Sequence, residues 1–224
     1  KHRTTLPVVI PPEEVAQLLA ALTEPRFHTA LSLIYACGLR LSEALKLEVR
    51  DIDSKAGRLH LRETKGGKDR FVPITQDMVA MLRDWWCQHK NPRFIFPGVG
   101  RRWKRSLRGK PMAQQEAQRL AMHAATAPMS TSTVQNSLKL AVVSLHFKKR
   151  ITPHTLRHCY ATHLLDKGVS LRHISAYLGH ASLNQTLVYV HLTTIGEERT
   201  QSILSDLHQE VIAPKPPQDL PPNN

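Results

Sequence analysis

The sequence predicts an α+β fold, mostly helical, with a small antiparallel β-sheet. Three observations predict it. Apolar residues recur at helical spacing through most of the chain, as at Val15, Leu18, Leu19 and Leu22. One stretch, Arg58 to Ile74, alternates apolar and polar residues on either side of Lys65-Gly66-Gly67-Lys68-Asp69, the pattern of a β-hairpin. Strands and helices do not alternate as they do in a parallel βαβ sheet. At 224 residues, 41% of them apolar, the chain can bury a core as one large domain or two small ones.

The elements follow in order. Residues 1–11 read as a basic linker arriving from an upstream domain. Pro11-Pro12-Glu13-Glu14 opens a helix, with proline in the first turn and two acids at its positive end. A second helix begins near Arg26. Leu31, Leu33, Ile34 and Tyr35 make it apolar nearly all round, so it is the buried one, and Gly38 stops it. Leu41 to Leu47 is a short third helix with Ser42 as a cap, and after the hairpin Thr75 to Gln88 is helical. Residues 98–129 read as a basic insertion whose second half, from Met112, is helical. Thr131 to Lys148, His154 to Lys167 (closed by Gly168), Ser170 to Leu178 (closed by Gly179), Asn184 to Leu192 and Glu197 to Leu207 complete the helices. The expected domain therefore runs over 12–207. Residues 208–224 form a proline-rich tail expected to be disordered.

Charge narrows the function. Lys and Arg number 31 against 18 Asp and Glu, a net charge of +13 that favours a polyanionic partner, nucleic acid before membrane. Only 5% of residues are aromatic, too few for a binding surface made chiefly of stacked rings. The longest apolar run, near Leu31 to Leu39, is too short to span a bilayer. Cys37, Cys87 and Cys159 form no CxxC pair, which argues against a disulfide framework and a thiolate zinc site. The cysteine count points to a reducing compartment. Arg101, Arg102, Lys104, Arg105, Arg108 and Lys110 occur without one acid, a run suited to phosphate contact through counterion release. Lys68 and Arg70, beside the hairpin tip, are expected to meet DNA as well.

Four segments carry candidate chemistry. In Cys37-Gly38-Leu39-Arg40-Leu41-Ser42-Glu43, Arg40 follows a helix-ending glycine and Glu43 lies within its reach. The hairpin tip offers Lys65, a flexible ammonium able to enter a groove and give up a proton. In Thr152-Pro153-His154-Thr155-Leu156-Arg157-His158, His154 and Arg157 share one side of a helix start, the end that favours anions. Leu178-Gly179-His180 is followed nine residues later by Tyr189. Each segment alone is ordinary.

The order Arg…Lys…His-x-x-Arg…Gly-His…Tyr in these contexts resembles the tyrosine recombinase (phage integrase) family. The resemblance covers about residues 6–207 and corresponds to the family's catalytic domain, closest in look to Xer, integron and mobile-element integrases. It is most specific at Pro-His-Thr-Leu-Arg-His-Cys-Tyr-Ala-Thr-His-Leu-Leu, residues 153–165, and at 178–191. The resemblance implies a function as a site-specific DNA recombinase. Tyr189 would attack a DNA phosphate, leaving a 3′-phosphotyrosine link and a free 5′-hydroxyl. Arg40 and Arg157 would clamp the non-bridging oxygens. His180 would donate a further hydrogen bond to the phosphate. His154 would accept the tyrosine proton or position the phosphate, Lys65 would protonate the leaving oxygen, and Glu43 would orient Arg40 or His154. The link conserves the bond energy, so the resemblance implies no ATP, metal or other cofactor. It also implies a tetramer on double-stranded DNA, with the last helix docking into a neighbour, and a core-binding domain upstream.

Two rivals stand against this reading. Tyr160 is near Arg157 in sequence, but its place on an apolar helix face reads as core. His154, His158 and His163 lack a third ligand at standard spacing or an HExxH pattern, so no metal site is expected, and His158 and His163 read as structural or solvent-facing. The competing functions are relaxation of DNA in the manner of a type IB topoisomerase and a DNA-binding module that does not cut.

Overall fold

The computed structural model describes residues 7–62, 69–100, 114–192 and 196–207. Lys65 and Lys68 lie outside these residues, as do Arg101, Arg102, Lys104, Arg105, Arg108 and the proline-rich tail. Residues up to Leu192 form one compact unit, and the helix beyond it belongs to a second.

Helix α1 (Pro12–Ala20) starts with proline and two acids in its first turn, as its sequence requires. Helix α2 (Pro25–Cys37) buries Phe27, Ala30, Leu31, Leu33 and Ile34 and is the hub of the unit. It packs against α1, α3 (Leu41–Lys46), α4 (Gln76–His89), α6 (Thr131–Ser144) and α7 (Pro153–Asp166). Helix α5 (Gln114–His123) leans on α4. The sheet is antiparallel in the order β1 (Ile52–Asp53), β2 (Arg58–Leu61), β3 (Arg70–Pro73), with Leu59 opposite Val72 and Leu61 opposite Arg70. Helix α8 (Leu171–Leu178) packs on α7 and on β3. Helix α10 (Gly196–Leu207) stands in the second unit. No described helix is long and apolar enough to cross a membrane.

Four expectations are corrected. β1 is an added strand, only two residues long, held in place by its pairing with β2. Helix α3 is capped by Glu43, whose carboxylate accepts the Arg40 backbone N–H at 2.8 Å, and Ser42 lies inside the helix. α6 ends at Ser144, because His146 adopts a left-handed backbone and Phe147 N–H turns back to the Val142 carbonyl. The helix expected over Asn184–Leu192 splits into α9 (Asn184–Leu187) and a 3₁₀ turn at Val190–Leu192. Tyr189 lies between them, and its N–H bonds the Thr186 carbonyl three residues back.

The segment after Pro97 leaves and returns at one place. Gly98 N–H donates to the Ala127 carbonyl and Pro97 bridges Pro128. Asn91, fully buried, donates its amide to the carbonyls of Met122, His123 and Ala125, closing the end of α5.

Gly38 shows how tightly the helix ends meet. Its φ is +61°, and a Cβ there would sit 2.4 Å from Tyr160 Cδ1 and 3.1 Å from Leu178 Cδ2. Gly38→Ala is expected to destabilise the fold by about 3 kcal/mol, combining backbone strain with overpacking. Urea denaturation measures it; a change below about 1 kcal/mol contradicts the packing described here.

Candidate active site

Three helix ends converge on one guanidinium. Thr152 caps α7, its hydroxyl accepting the Thr155 N–H, and Pro153 fills the first turn. This start projects His154, Arg157 and His158 from one side of the helix. Arg157 is 2% exposed. It donates to the Gly38 carbonyl at 2.7 Å and to the Leu178 carbonyl at 2.7 Å. Those carbonyls lie at the C-terminal ends of α2 and α8, where backbone oxygens lack helical partners and attract a cation. Gly38 and Gly179 close both helices in the left-handed conformation. Burial and the neighbouring Arg40 lower the Arg157 pKa to about 10, so it stays charged at neutral pH.

Glu43 organises the second layer. Arg40 donates to it through its backbone N–H and through Nη1 at 2.7 Å. Arg70 grips both of its carboxylate oxygens, at 2.9 and 2.7 Å. Burial pushes the Glu43 carboxyl up, but the bonds from Arg70 and Arg40 outweigh it and hold the pKa near 2. Glu43 is thus at Arg40, and its hydrogen bonds run to the arginines, not to His154.

Tyr189 completes the cluster. It is 2% exposed, and its hydroxyl lies 3.0 Å from His158 Nδ1. The His180 ring lies nearly parallel to the phenol, with centroids 6.4 Å apart. Its Nδ1 is fixed 2.8 Å from the hydroxyl of the buried Thr186. With Thr186 donating to Nδ1, His180 presents a donor N–H at Nε2. Burial, then the cations Arg157 and Arg40, push His180 down to about 4. Burial, then His154 and Arg157, do the same to His158. Both rings are neutral at pH 7. His154 is partly open to solvent and stands edge-on to His158 at 4.7 Å; its remaining burial, then the fields of Arg157 and Arg40, lower its pKa. Burial raises the Tyr189 pKa, against the pull of Arg157.

The structure therefore brings Arg40, Glu43, His154, Arg157, His180 and Tyr189 into one region from three of the four segments. A groove of about 670 Å³ opens at Arg40 and Glu43 and is lined further on by Lys46, by Arg50 and Arg93 paired with Glu48, and by Arg62 paired with Asp51. One candidate DNA contact, Arg70, is turned inward in this structure. Its side chain is 9% exposed, both terminal nitrogens are bound to Glu43, and Nε donates to the Tyr177 carbonyl at 2.9 Å. His158 and Thr186 are partners the sequence reading missed. His163 is structural, bonding the Tyr35 hydroxyl and the Ile10 carbonyl. Among the described residues no group of His, Cys, Asp and Glu is placed to hold a metal.

These histidines make the fold acid-sensitive. His89, His158 and His180 each have a folded pKa near 4 against 6.5 when free. The unfolded chain then binds more protons between pH 6.5 and 4, so stability is full above pH 6.5 and falls as pH drops through that window. Discounting the half-buried rings for solvent screening leaves about 4 kcal/mol, or about 10 °C in Tm. Calorimetry at pH 7.5 and 4.5 checks this, and equal Tm values contradict it.

Comparison with known proteins gives a consistent picture. The family model described as "Phage integrase family" matches residues 9–194. A tyrosine recombinase of Pseudothermotoga lettingae is 32% identical over 206 residues, covering 91% of this chain and 62% of the relative. Curated relatives of this kind are longer, and the chain spans between 59% and 78% of their length. Two solved structures share the fold. The crystal structure of XerH bound to its palindromic difH substrate, a post-cleavage complex, has a TM-score of 0.66 at 22% identity, covering 90% of this chain and 54% of that one. The catalytic domain of bacteriophage HP1 integrase has a TM-score of 0.59 at 18% identity, covering 93% of this chain and 99% of that one. With the family model matched from the start of α1 to beyond Tyr189, this chain belongs to the phage integrase family.

Proposed function

We propose that the protein is the catalytic part of a site-specific DNA recombinase that cuts and rejoins strands through a covalent link to Tyr189. The observation that carries this reading is the cluster of two guanidiniums and a fixed imidazole beside one buried phenol. A phosphodiester carries its charge on two non-bridging oxygens, and that charge grows as a fifth oxygen attaches. Arg40 and Arg157 supply planar donors for it, and His180 Nε2–H adds another. The Tyr189 oxygen attacks phosphorus, the bond to the 5′-oxygen breaks, and a 3′-phosphotyrosine remains. The phenolic proton leaves toward the His158–His154 pair, and Lys65 returns a proton to the 5′-oxygen. Reversal with another strand's 5′-hydroxyl rejoins the DNA, with no cofactor consumed.

In the conformation described, the Tyr189 hydroxyl is covered, so attack requires residues 184–192 to shift on binding DNA. The basic groove beside Arg40 suits a phosphate backbone. XerH, of similar fold, is seen with its DNA after cleavage, which supports a duplex substrate here. The reading extends to a tetramer on DNA and to work at the bacterial nucleoid. The deciding experiment incubates the protein with a nicked duplex, built on the sequence it protects in a footprint of the DNA flanking its own gene. A protein–DNA adduct that survives denaturing electrophoresis supports the reading, and binding without an adduct overturns it. Release of supercoils from plasmids lacking the site would favour relaxation instead.

A further inference from the structure

Glu43 has two oxygens and roughly four places for a donor. Four N–H groups fill them: the Arg40 backbone N–H, Arg40 Nη1, and Arg70 Nη1 and Nη2. Arg157 Nη1 stands 3.9 Å from the same carboxylate, within its field but outside hydrogen-bond distance. The geometry of Arg157 is thus set by two backbone carbonyls and not by Glu43. Two of the four donors come from Arg70. Without them, a carboxylate only 11% exposed would be left with vacant lone pairs and would draw on the nearest cation not already bonded to it. That cation is Arg157.

Arg70 also acts on two other segments. Its Nε holds the Tyr177 carbonyl in the last turn of α8, the helix that delivers His180. Gly179 gives it room: a Cβ there would lie 2.9 Å from Arg70 Cδ, at a φ of +63° that already favours glycine. Arg70 is moreover the first residue of β3, five residues after Lys65 in the chain, so it anchors the strand into which that tip runs. Three arginines and one carboxylate leave the cluster with a net of two positive charges for the phosphate.

Resting on the transesterification proposed above, we propose that Arg70 is a positioning residue: by saturating Glu43 and pinning the end of α8, it keeps Arg157 directed at the DNA phosphate and His180 in line with it. It touches neither Tyr189 nor substrate and acts through Glu43 and the α8 turn.

The test uses the footprint-derived nicked duplex, with adduct rate at saturating DNA, gel-shift Kd and Tm measured for each variant. Arg70→Gln is expected to slow adduct formation about 100-fold while Kd stays within about 3-fold, because a misdirected donor affects the transition state more than binding. Arg70→Lys, which keeps the cation and part of the bonding, recovers about tenfold of that loss. The decisive readout is the sign of Glu43→Gln. In the wild-type background it slows the reaction. In the Arg70→Gln background it speeds the reaction, since it removes the carboxylate that captures Arg157. If Arg70→Gln does not fold, Arg70→Lys carries the test alone through a rate about tenfold below wild type at unchanged Kd. A wild-type rate in Arg70→Gln or Arg70→Lys, or a Glu43→Gln effect equal in both backgrounds, overturns the proposal and leaves the transesterification standing. A wild-type protein that binds the duplex and forms no adduct overturns both.

Discussion

Tyr189→Phe is expected to abolish the covalent adduct while leaving DNA binding within about twofold, a loss of at least about 10⁴-fold in rate. The substitution removes one oxygen and nothing else. The ring keeps its place beside His180, and the buried site it fills is unchanged in shape. What is lost is the hydroxyl that meets His158 Nδ1 at 3.0 Å, at a cost in stability of about 1 kcal/mol. The rate therefore falls for a chemical reason, which thermal denaturation in parallel verifies. Tyr160→Phe is the control. Burial raises the pKa of both phenols, but the Tyr189 hydroxyl lies 3.0 Å from His158 Nδ1, whereas the Tyr160 ring lies against Gly38. An adduct that persists in Tyr189→Phe and vanishes in Tyr160→Phe would reverse the assignment.

The sequence reading and the structure differ where contacts over long separations decide. Helix ends were legible because glycine marks them locally: Gly38 and Gly179 both close helices in the left-handed conformation. The hairpin was legible from its alternation, whereas β1 was not, since two residues carry no period and the strand exists only by pairing with β2. The break at Tyr189 was equally hidden. Helical spacing continues through Leu192, and it is the burial of Tyr189 with Thr186 that tightens the turn. Arg70 is the instructive case. Beside a basic tip it reads as a DNA contact, yet period two places it on the same face of β3 as the buried Val72. That signal was available; the partner that makes burial tolerable, Glu43, lies 27 residues away and was not. His158 likewise shares a face with His154 by spacing, but only the fold turns its ring toward Tyr189.

Arg157→Lys is expected to lower the adduct rate about 10³-fold with DNA affinity nearly unchanged. The argument turns on shape rather than charge. The guanidinium spans two carbonyls at the ends of different helices, 2.7 Å from each, and still has N–H groups to turn toward a phosphate. A lysine ammonium keeps the positive charge and has three donors on a single nitrogen, so it cannot reach both carbonyls and a non-bridging oxygen in one plane. One helix-end carbonyl is left buried without a donor, which costs about 2 kcal/mol of stability. Arg157→Met removes the charge as well and costs more, about 4 kcal/mol, because Glu43 loses part of the field that keeps it ionised. Chemical denaturation orders the three proteins as wild type, Lys, Met, while the adduct assay separates wild type from both. A lysine variant that cleaves at the wild-type rate would mean that charge alone suffices at this position, and the convergence of α2, α7 and α8 on one planar group would then serve the fold and not the chemistry.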